Sequence, residues 1–159
     1  MFKITVDSRG LKRLCRNVER LNRSQMVEVG RRVVREIALR LQAHVVLRTP
    51  VMTGNLRRNW RLGSMTYSGG IWEADVLNNT EYAPYVEFGH RQTPGRFIPG
   101  AWKGDRFIYD PNSPTGMTLR RPWVEGRHML ANSVAQVKRE IPGYVQRIVD
   151  EYLREVLGR

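Results

Sequence analysis

Residues 2–48 carry the hydrophobic periodicity of one short strand followed by two helices. Residues 2–6 alternate in polarity as a strand does, and the segment after them places apolar side chains three or four positions apart. The members of this first helical stripe are Leu11, Leu14, Val18 and Leu21. A second helix is predicted from about residue 25 to 48, because Pro50 pushes the residue before it out of the α region. The buried face of this second helix is predicted to consist of Met26, Val33, Val34, Ile37, Leu41 and Val45.

The hydrophobic period changes from that of a helix to that of a strand at Leu56. Leu56 and Trp60 fall on one face of the predicted strand, and the arginines beside them fall on the other. Residues 68–70, Ser-Gly-Gly, predict a tight turn, and residues 71–79 predict an antiparallel return strand. We expect Trp60 and Trp72 to share the face of this hairpin that packs against the helices.

Two further segments complete the predicted secondary structure. Residues 91–122 are rich in glycine and proline but also contain several large apolar residues. This composition predicts a long ordered loop or an extra hairpin rather than a disordered linker. From residue 130 to 156 the apolar side chains keep one helical face in phase across Pro142. The pattern predicts a long kinked C-terminal helix, or two helices in line.

The predicted fold is therefore α+β, with a single domain over residues 1–159 and residues 91–122 as a loop insertion. A chain of 159 residues with 41% hydrophobic residues can form a core without metals or disulfides. Cys15 is the only cysteine, which excludes an intramolecular disulfide and fits a reducing cytosol. The N-terminal residues lack the apolar region of a signal peptide, and no segment approaches the length of a membrane span, so we expect a soluble intracellular product.

The net charge of +12 is concentrated in the first two-fifths of the chain. Residues 1–61 contain 15 basic and 4 acidic residues, whereas residues 62–159 contain 12 basic and 11 acidic residues. Of the 27 basic residues 23 are arginines, the type suited to bidentate contacts with phosphates and carboxylates. This distribution favours a polyanionic partner, either DNA or an acidic protein surface.

Five arginines form a row on the first predicted helix, opposite its apolar stripe. They are Arg9, Arg13, Arg16, Arg20 and Arg23. Two interpretations stay open: a solvated amphipathic face, or a face turned toward DNA phosphates or an acidic neighbour. The sequence has no helix-turn-helix, zinc-finger or ribbon motif that would place side chains in a DNA groove. Any contact with DNA is therefore expected to be non-specific.

The sequence contains no catalytic, metal-binding or cofactor-binding motif. His44, His90 and His128 are far apart and have no carboxylate or histidine at the spacing of metal ligands. The patterns of zinc proteases, CxxC sites, nucleophile elbows and phosphate loops are all missing. Cys15 is interpreted as a small packing residue, and His44, on the apolar edge of its helix, as a core or half-buried residue. We expect no catalytic residues, no cofactor and no metal.

Three sequence blocks resemble a family of long-tailed bacteriophage proteins. Residues 49–60, TPVMTGNLRRNW, are similar to the family's TPVxTGxLRxSW signature, with Met52 and Asn59 as mild departures. Residues 78–91, NNTEYAPYVEFGHR, resemble its YAxYVEFGH block. Residues 115–134, TGMTLRRPWVEGRHMLANSV, resemble the block that leads into its C-terminal helix. The resemblance is to the tail-completion or neck-component family, typified by the gene-ten product of a lambdoid Hong Kong phage.

The resemblance implies an α+β fold and a structural role where the tail tube meets the head-derived connector. It implies a homo-oligomeric ring, most often a hexamer, around a channel through which DNA passes. The implied neighbours are connector, terminator or tail-tube proteins, with non-specific contact to packaged DNA and none to a membrane. The protein would be made and assembled in the host cytoplasm and would end up in the virion, and tail-completion, terminator, stopper and adaptor roles all stay open. The alternative is a basic, non-specific DNA-binding protein that is not part of the particle.

Large apolar residues within 91–122 are expected to be exposed, because the chain has no second domain to cover them, and to contact a neighbouring subunit or ring. They are Phe97, Ile98, Trp102, Phe107 and Ile108. A long aromatic loop suits a contact between subunits better than it suits an active site.

Overall fold

The computed structural model describes residues 23–157, which fold into a mixture of helices and antiparallel strands. The α+β fold class is thereby confirmed. These residues form two compact units: the first contains residues 23–84 and 128–157, and the second contains residues 85–127. The strand predicted at residues 2–6 and the first predicted helix lie outside the described residues. The organisation into a single domain stays a prediction.

Within the described chain, four helices and seven strands follow one another. They are α1 (Arg23–Arg48), α2 (Asn55–Arg58), β1 (Trp60–Ser68), β2 (Ile71–Asn78), α3 (Ala83–Phe88), β3 (Gly89–Arg91), β4 (Phe97–Lys103), β5 (Arg106–Tyr109), β6 (Gly116–Thr118), β7 (Trp123–Glu125) and α4 (Met129–Leu157). The strands pair into three small antiparallel sheets: β1 with β2, β3 with β7, and β4 between β5 and β6.

The core of the first unit lies where α1 packs against α4 and against the β1–β2 hairpin. Helix α1 buries its apolar face from Val33 to Val45, and Met26 is half-buried near its start. Helix α4 runs through Pro142 as one element and buries residues such as Val137. Each helix therefore removes the other's apolar stripe from water, which is the main stabilising term for such a pair.

The β1–β2 hairpin has the turn and the return strand that the sequence predicts. Gly69 and Gly70 connect the two strands. The register shifts between Leu62 and Met65, which marks a β-bulge in β1. Both strands pack against α1.

The segment that precedes β1 differs from the prediction. Leu56 does not start a strand, because residues 55–58 form the helical turn α2 and the strand begins only at Trp60. Gly54 is in the left-handed conformation, at φ 79°, and its carbonyl accepts the Arg58 N–H at 3.0 Å, which closes the turn. Leu56 and Trp60 are four positions apart, a spacing that one helical turn brings to the same side as well as a strand does.

The second unit contains five short strands, and two of its three strand pairings join residues that are distant in the sequence. Strands β3 and β7 pair across the whole of the intervening segment, with Gly89 opposite Glu125. Gly89 has φ 83°, and a Cβ there would lie 2.3 Å from the Val124 carbonyl oxygen, so only glycine allows this close approach. Between these two strands, β4, β5 and β6 form the predicted extra hairpin with a third strand added.

Candidate assembly surface and its support

The segment at residues 49–60 forms a buried polar junction around Thr49, which is 1% exposed. The Thr49 hydroxyl donates to the Val45 carbonyl at 2.6 Å and accepts the indole N–H of Trp60 at 2.8 Å. The Thr49 carbonyl accepts from the Arg57 guanidinium, at 2.9 Å from its nearer nitrogen. Because buried polar groups need partners, these bonds fix the end of α1 against the start of β1.

Asn78 extends this junction from the second strand of the hairpin. It lies opposite Trp60, and its side-chain amide donates to the Leu56 carbonyl at 2.7 Å. Its side-chain oxygen accepts the Thr80 N–H at 3.0 Å. Gln42 of α1 donates to the Trp60 carbonyl at 2.9 Å, which ties the helix to the same point. The first two sequence blocks therefore meet in a structural joint rather than in a site of chemistry.

The two predicted tryptophans both face α1, as expected. Trp60 is buried, and its indole N–H reaches Thr49 at the end of the helix. The Trp72 indole donates to the Val27 carbonyl at 2.9 Å, near the start of the same helix. One indole hydrogen bond thus holds the hairpin near each end of α1. Each bond also satisfies the single polar atom of its indole ring.

The apolar hairpin, which we define as residues 97–109, contains the five residues predicted to contact a neighbour. Phe97 is 52% exposed, Trp102 is 59% exposed and Ile108 is 41% exposed. Ile98 and Phe107 are half-buried, so the prediction that all five are exposed is correct for three of them. Whether these residues contact another subunit stays a prediction.

Exposed apolar side chains lie on both faces of the apolar hairpin. Trp102 lies opposite Phe107, with ring centroids 5.4 Å apart in an edge-on arrangement. Ala101 lies opposite Ile108 and points to the other face, because successive side chains of a strand alternate. Tyr109, on the Trp102 face, is 63% exposed and was missing from the predicted set, although it continues the run that contains Ile108. A hairpin with apolar groups exposed on two faces gains little from burial within its own chain.

Between α1 and α4 of the first unit, arginines are paired with glutamates. Arg32 lies 3.1 Å from a Glu28 oxygen and 2.6 Å from a Glu155 oxygen, and Arg31 lies 2.8 Å from Glu28. The hydrogen bond from Arg31, with a smaller one from Arg32, lowers the pKa of Glu28 from 4.5 to about 2, against the opposing effect of burial. Arg32 likewise lowers the pKa of the Glu155 carboxyl. In these ion pairs, two glutamates balance the charges of Arg31 and Arg32.

A second cluster of polar side chains on the same helix pair surrounds the Glu140 carboxylate of α4. The Tyr144 hydroxyl donates to it, and the Gln136 amide donates at 2.9 Å. These hydrogen bonds, Tyr144 first, lower the pKa of Glu140. His44 Nε2 lies 3.5 Å from a Glu140 oxygen and is half-buried, in line with its interpretation as a packing residue.

Residues 23–157 contain no group of three or more histidines, cysteines, aspartates or glutamates that could hold a metal ion. Across the same residues, no helix combines the length and the apolar character needed to cross a membrane.

The arginine row is placed only in part. Arg23 is exposed at the first residue of α1. The other four members lie outside the described residues; they are Arg9, Arg13, Arg16 and Arg20. The row as a surface that faces DNA or a partner stays a prediction.

Comparison with known proteins identifies a family. The family model described as "Bacteriophage HK97-gp10, putative tail-component" matches residues 12–89. Over these residues, just under half of its length, the chain is similar to the HK97-gp10-like family. The matched region contains the Thr49 junction and the β1–β2 hairpin. The part of the chain that is similar to this family therefore includes the hydrogen bonds that fix the end of α1 against β1. The match supports a structural phage protein of the tail-component class.

Two curated proteins of Bacillus subtilis strain 168 are similar to this HK97-gp10-like chain. The uncharacterized protein YqbI is 29% identical over 126 residues, which cover 72% of this chain and 75% of YqbI. The phage-like element PBSX protein XkdI is 41% identical over 61 residues, which cover 37% of each protein. No solved structure matches the chain.

Proposed function

We propose that this protein is a virion subunit that forms a ring at the head–tail junction of a tailed phage, around the channel through which DNA passes. The ring is a homo-oligomer, with six subunits as the expected number, and it docks against connector, terminator or tail-tube proteins. The HK97-gp10-like family supports the tail-component class. The apolar hairpin supports assembly as the role of this chain.

The observation that carries the proposal is the exposure of large apolar side chains on both faces of the apolar hairpin. Trp102 and Tyr109 are exposed on one face, and Ile108 is exposed on the other. Exposed apolar patches rimmed by polar residues typically mark protein interfaces, whose centres are enriched in aromatic residues. Each square ångström of apolar surface removed from water contributes about 25 cal/mol, so covering these side chains favours association.

A two-faced hairpin suits a ring in particular. Closed rings with more than two subunits are built from heterologous contacts, in which one surface of a subunit meets a different surface of the next. A thin hairpin can insert between surfaces of neighbouring subunits, so that both of its apolar faces are buried. A single flat patch would instead favour a two-fold dimer, in which the same surface meets itself.

The proposal is tested in particles that are assembled with variants of the protein. In the variant, the four exposed residues of the apolar hairpin become threonine: Phe97→Thr, Trp102→Thr, Ile108→Thr and Tyr109→Thr. We expect the purified variant to keep the helical circular dichroism signal of the first unit. It should be absent from purified particles by mass spectrometry, and infectious titre should fall with it. Purified wild-type protein should form rings, measured by light scattering and electron microscopy.

A matched control changes four exposed apolar residues of the first unit. Its substitutions are Leu39→Gln, Leu47→Gln, Val51→Thr and Val156→Gln. This control should enter particles at the wild-type level. Normal incorporation of the hairpin variant would show that the apolar hairpin is not the subunit contact. Absence of the wild-type protein from particles would instead favour a free DNA-binding protein, the role that the net charge of +12 also fits.

A further inference from the structure

We infer that four arginines of the second unit form a contact site for the phosphate backbone of duplex DNA. The arginine strip, as we name it, consists of Arg91, Arg96, Arg120 and Arg121, and all four side chains are exposed. The choice of DNA as the partner rests on the proposed function, because a ring around the genome surrounds a polyanion. This strip is separate from the arginine row of residues 9–23.

One end of the arginine strip is fixed by the pairing of β3 with β7. Arg91 lies opposite Trp123 in this ladder. The Gln92 N–H donates to the Pro122 carbonyl at 2.8 Å, which carries the pairing one residue beyond the strands. Arg121 directly precedes Pro122 in the sequence, so it lies across from the segment that follows Arg91.

The other end of the strip is fixed by hydrogen bonds next to β4 and β6. The Leu119 N–H donates to the Arg96 carbonyl at 2.9 Å, and the Gly95 N–H donates to the Leu119 carbonyl at 2.9 Å. Arg120 follows Leu119 directly. Five extended residues span at most about 17 Å, and paired strands lie about 5 Å apart, so the four arginines share one short ribbon. The strip is therefore no longer than about five phosphates of one DNA strand, which are spaced at about 3.4 Å.

The ribbon provides no negative charge to balance the arginine strip. Residues 91–104 and 111–124 contain no aspartate or glutamate. Within the described residues, none of the four arginines forms an ion pair. Like charges on neighbouring positions repel one another, and a bound polyanion removes that repulsion.

The chemistry of the strip matches a phosphate backbone better than a sequence-reading site. Guanidinium groups bind phosphate oxygens through two parallel hydrogen bonds, and every phosphate along a strand is equivalent. Exposed Trp123 lies opposite Arg91 and can cover the sugar edge beside a bound phosphate. Reading base edges in the major groove requires an inserted helix or a long two-stranded arm, and the strip lies on neither. Binding at the strip is therefore independent of DNA sequence.

The test measures how salt weakens the binding of a fluorescent duplex of arbitrary sequence to the full-length protein. The strip variant carries Arg91→Gln, Arg96→Gln, Arg120→Gln and Arg121→Gln. A control with the same loss of charge carries Arg61→Gln, Lys138→Gln, Arg139→Gln and Arg154→Gln, all exposed positions of the first unit. Each neutralised phosphate contributes about 0.9 to the slope of log K against log salt concentration. We expect the slope to fall by about 3–4 in the strip variant and by less than about 1 in the control.

Three outcomes would overturn the inference. Equal losses in both variants would show that binding follows net charge and has no site at the strip. An unchanged slope in the strip variant would show that these arginines do not contact DNA. Polyglutamate that binds in a strip-dependent way, while the duplex does not, would assign the strip to an acidic protein surface.

This measurement separates the strip from the proposed function. Duplex binding is measured on purified protein and does not require a particle. If the protein enters particles but both variants bind duplex alike, the ring stands and the strip is wrong. If the strip variant loses duplex binding but the wild-type protein is missing from particles, the strip stands and the ring is wrong.

Discussion

Tryptophan and arginine occur in both units of the chain, but their surroundings differ. In the first unit Trp60 is 3% exposed with its indole N–H bonded to Thr49, and Arg32 is held by two glutamates. In the second unit Trp102 is 59% exposed, and the arginine strip forms no ion pair among the described residues. The same residue types thus stabilise the fold in one unit and stay available for a partner in the other.

The difference has a simple thermodynamic reason. A side chain that is buried and hydrogen-bonded within the chain has already contributed its free energy to folding, and a partner gains nothing from it. A side chain that stays in water can still contribute this free energy when a partner covers it. Its exposure lowers the solubility of the protein before assembly. Substitutions in the first unit should therefore reduce stability, whereas substitutions in the second unit should reduce assembly or binding.

The sharpest form of this comparison is a pair of tryptophan substitutions. Trp60→Ala should lower the free energy of unfolding by about 3–5 kcal/mol, because it removes a buried ring and leaves a cavity. Trp102→Ala should lower it by less than about 1.5 kcal/mol, because the exposed ring contributes little beyond its edge-on contact with Phe107. Urea unfolding followed by circular dichroism of α1 and α4 measures both values. A loss below about 1 kcal/mol for Trp60→Ala would contradict the burial of this ring.

The sequence predicts the long elements well because their signals are local. The apolar stripe of α1 and Pro50 place the helix within two residues of its observed start, Arg23, and at its observed end, Arg48. The hairpin turn at residues 68–70 is predicted by two adjacent glycines, which adopt positive φ. In each case the residues that decide the structure are close together in the sequence.

The sequence fails where the deciding contacts are distant or ambiguous. The sequence pattern predicts a strand at Leu56, but helical and extended spacing both place Leu56 on the same side as Trp60. The left-handed Gly54 decides for the helical turn. Arg32 and Glu155, which form an ion pair between the two helices, are 123 positions apart in the sequence, so no local pattern reveals the pair. The arginine strip is missed for the same reason, since it exists only after two distant segments pair.

A second prediction tests whether the Thr49 junction stabilises the first unit as its burial suggests. Thr49→Val keeps the shape of the side chain but removes the oxygen that accepts the indole N–H of Trp60. An unpaired buried donor costs about 1–3 kcal/mol, so the free energy of unfolding should fall by that amount. Thr66→Val, at an exposed position of β1, should change it by less than about 0.5 kcal/mol. Equal effects of the two substitutions would contradict the role of the junction.

The smallest expected effect concerns the ion pairs of the helix pair and depends on pH. Glu28 has a folded pKa of about 2, below its usual value of 4.5, chiefly because of the hydrogen bond from Arg31. A lowered pKa means that the carboxylate stabilises the fold above pH 4.5, and that this contribution disappears as the pH falls toward 2. Because the pair is partly exposed to solvent, we expect Glu28→Gln to lower the free energy of unfolding at neutral pH by less than about 1 kcal/mol.

The pH dependence of this loss distinguishes an ion pair from a change in packing. The stability curves of the wild type and of Glu28→Gln should be separated above pH 4.5 and should converge toward pH 2. Added salt should narrow the separation, because it screens charges near the surface. Arg31→Gln should interact with Glu28→Gln, so that the double variant loses less than the sum of the two single variants. Curves that stay parallel down to pH 2 would show that Glu28 acts through packing, and the contrast between paired and unpaired arginines would then rest on pairs such as Arg32 with Glu155 and Arg40 with Glu36.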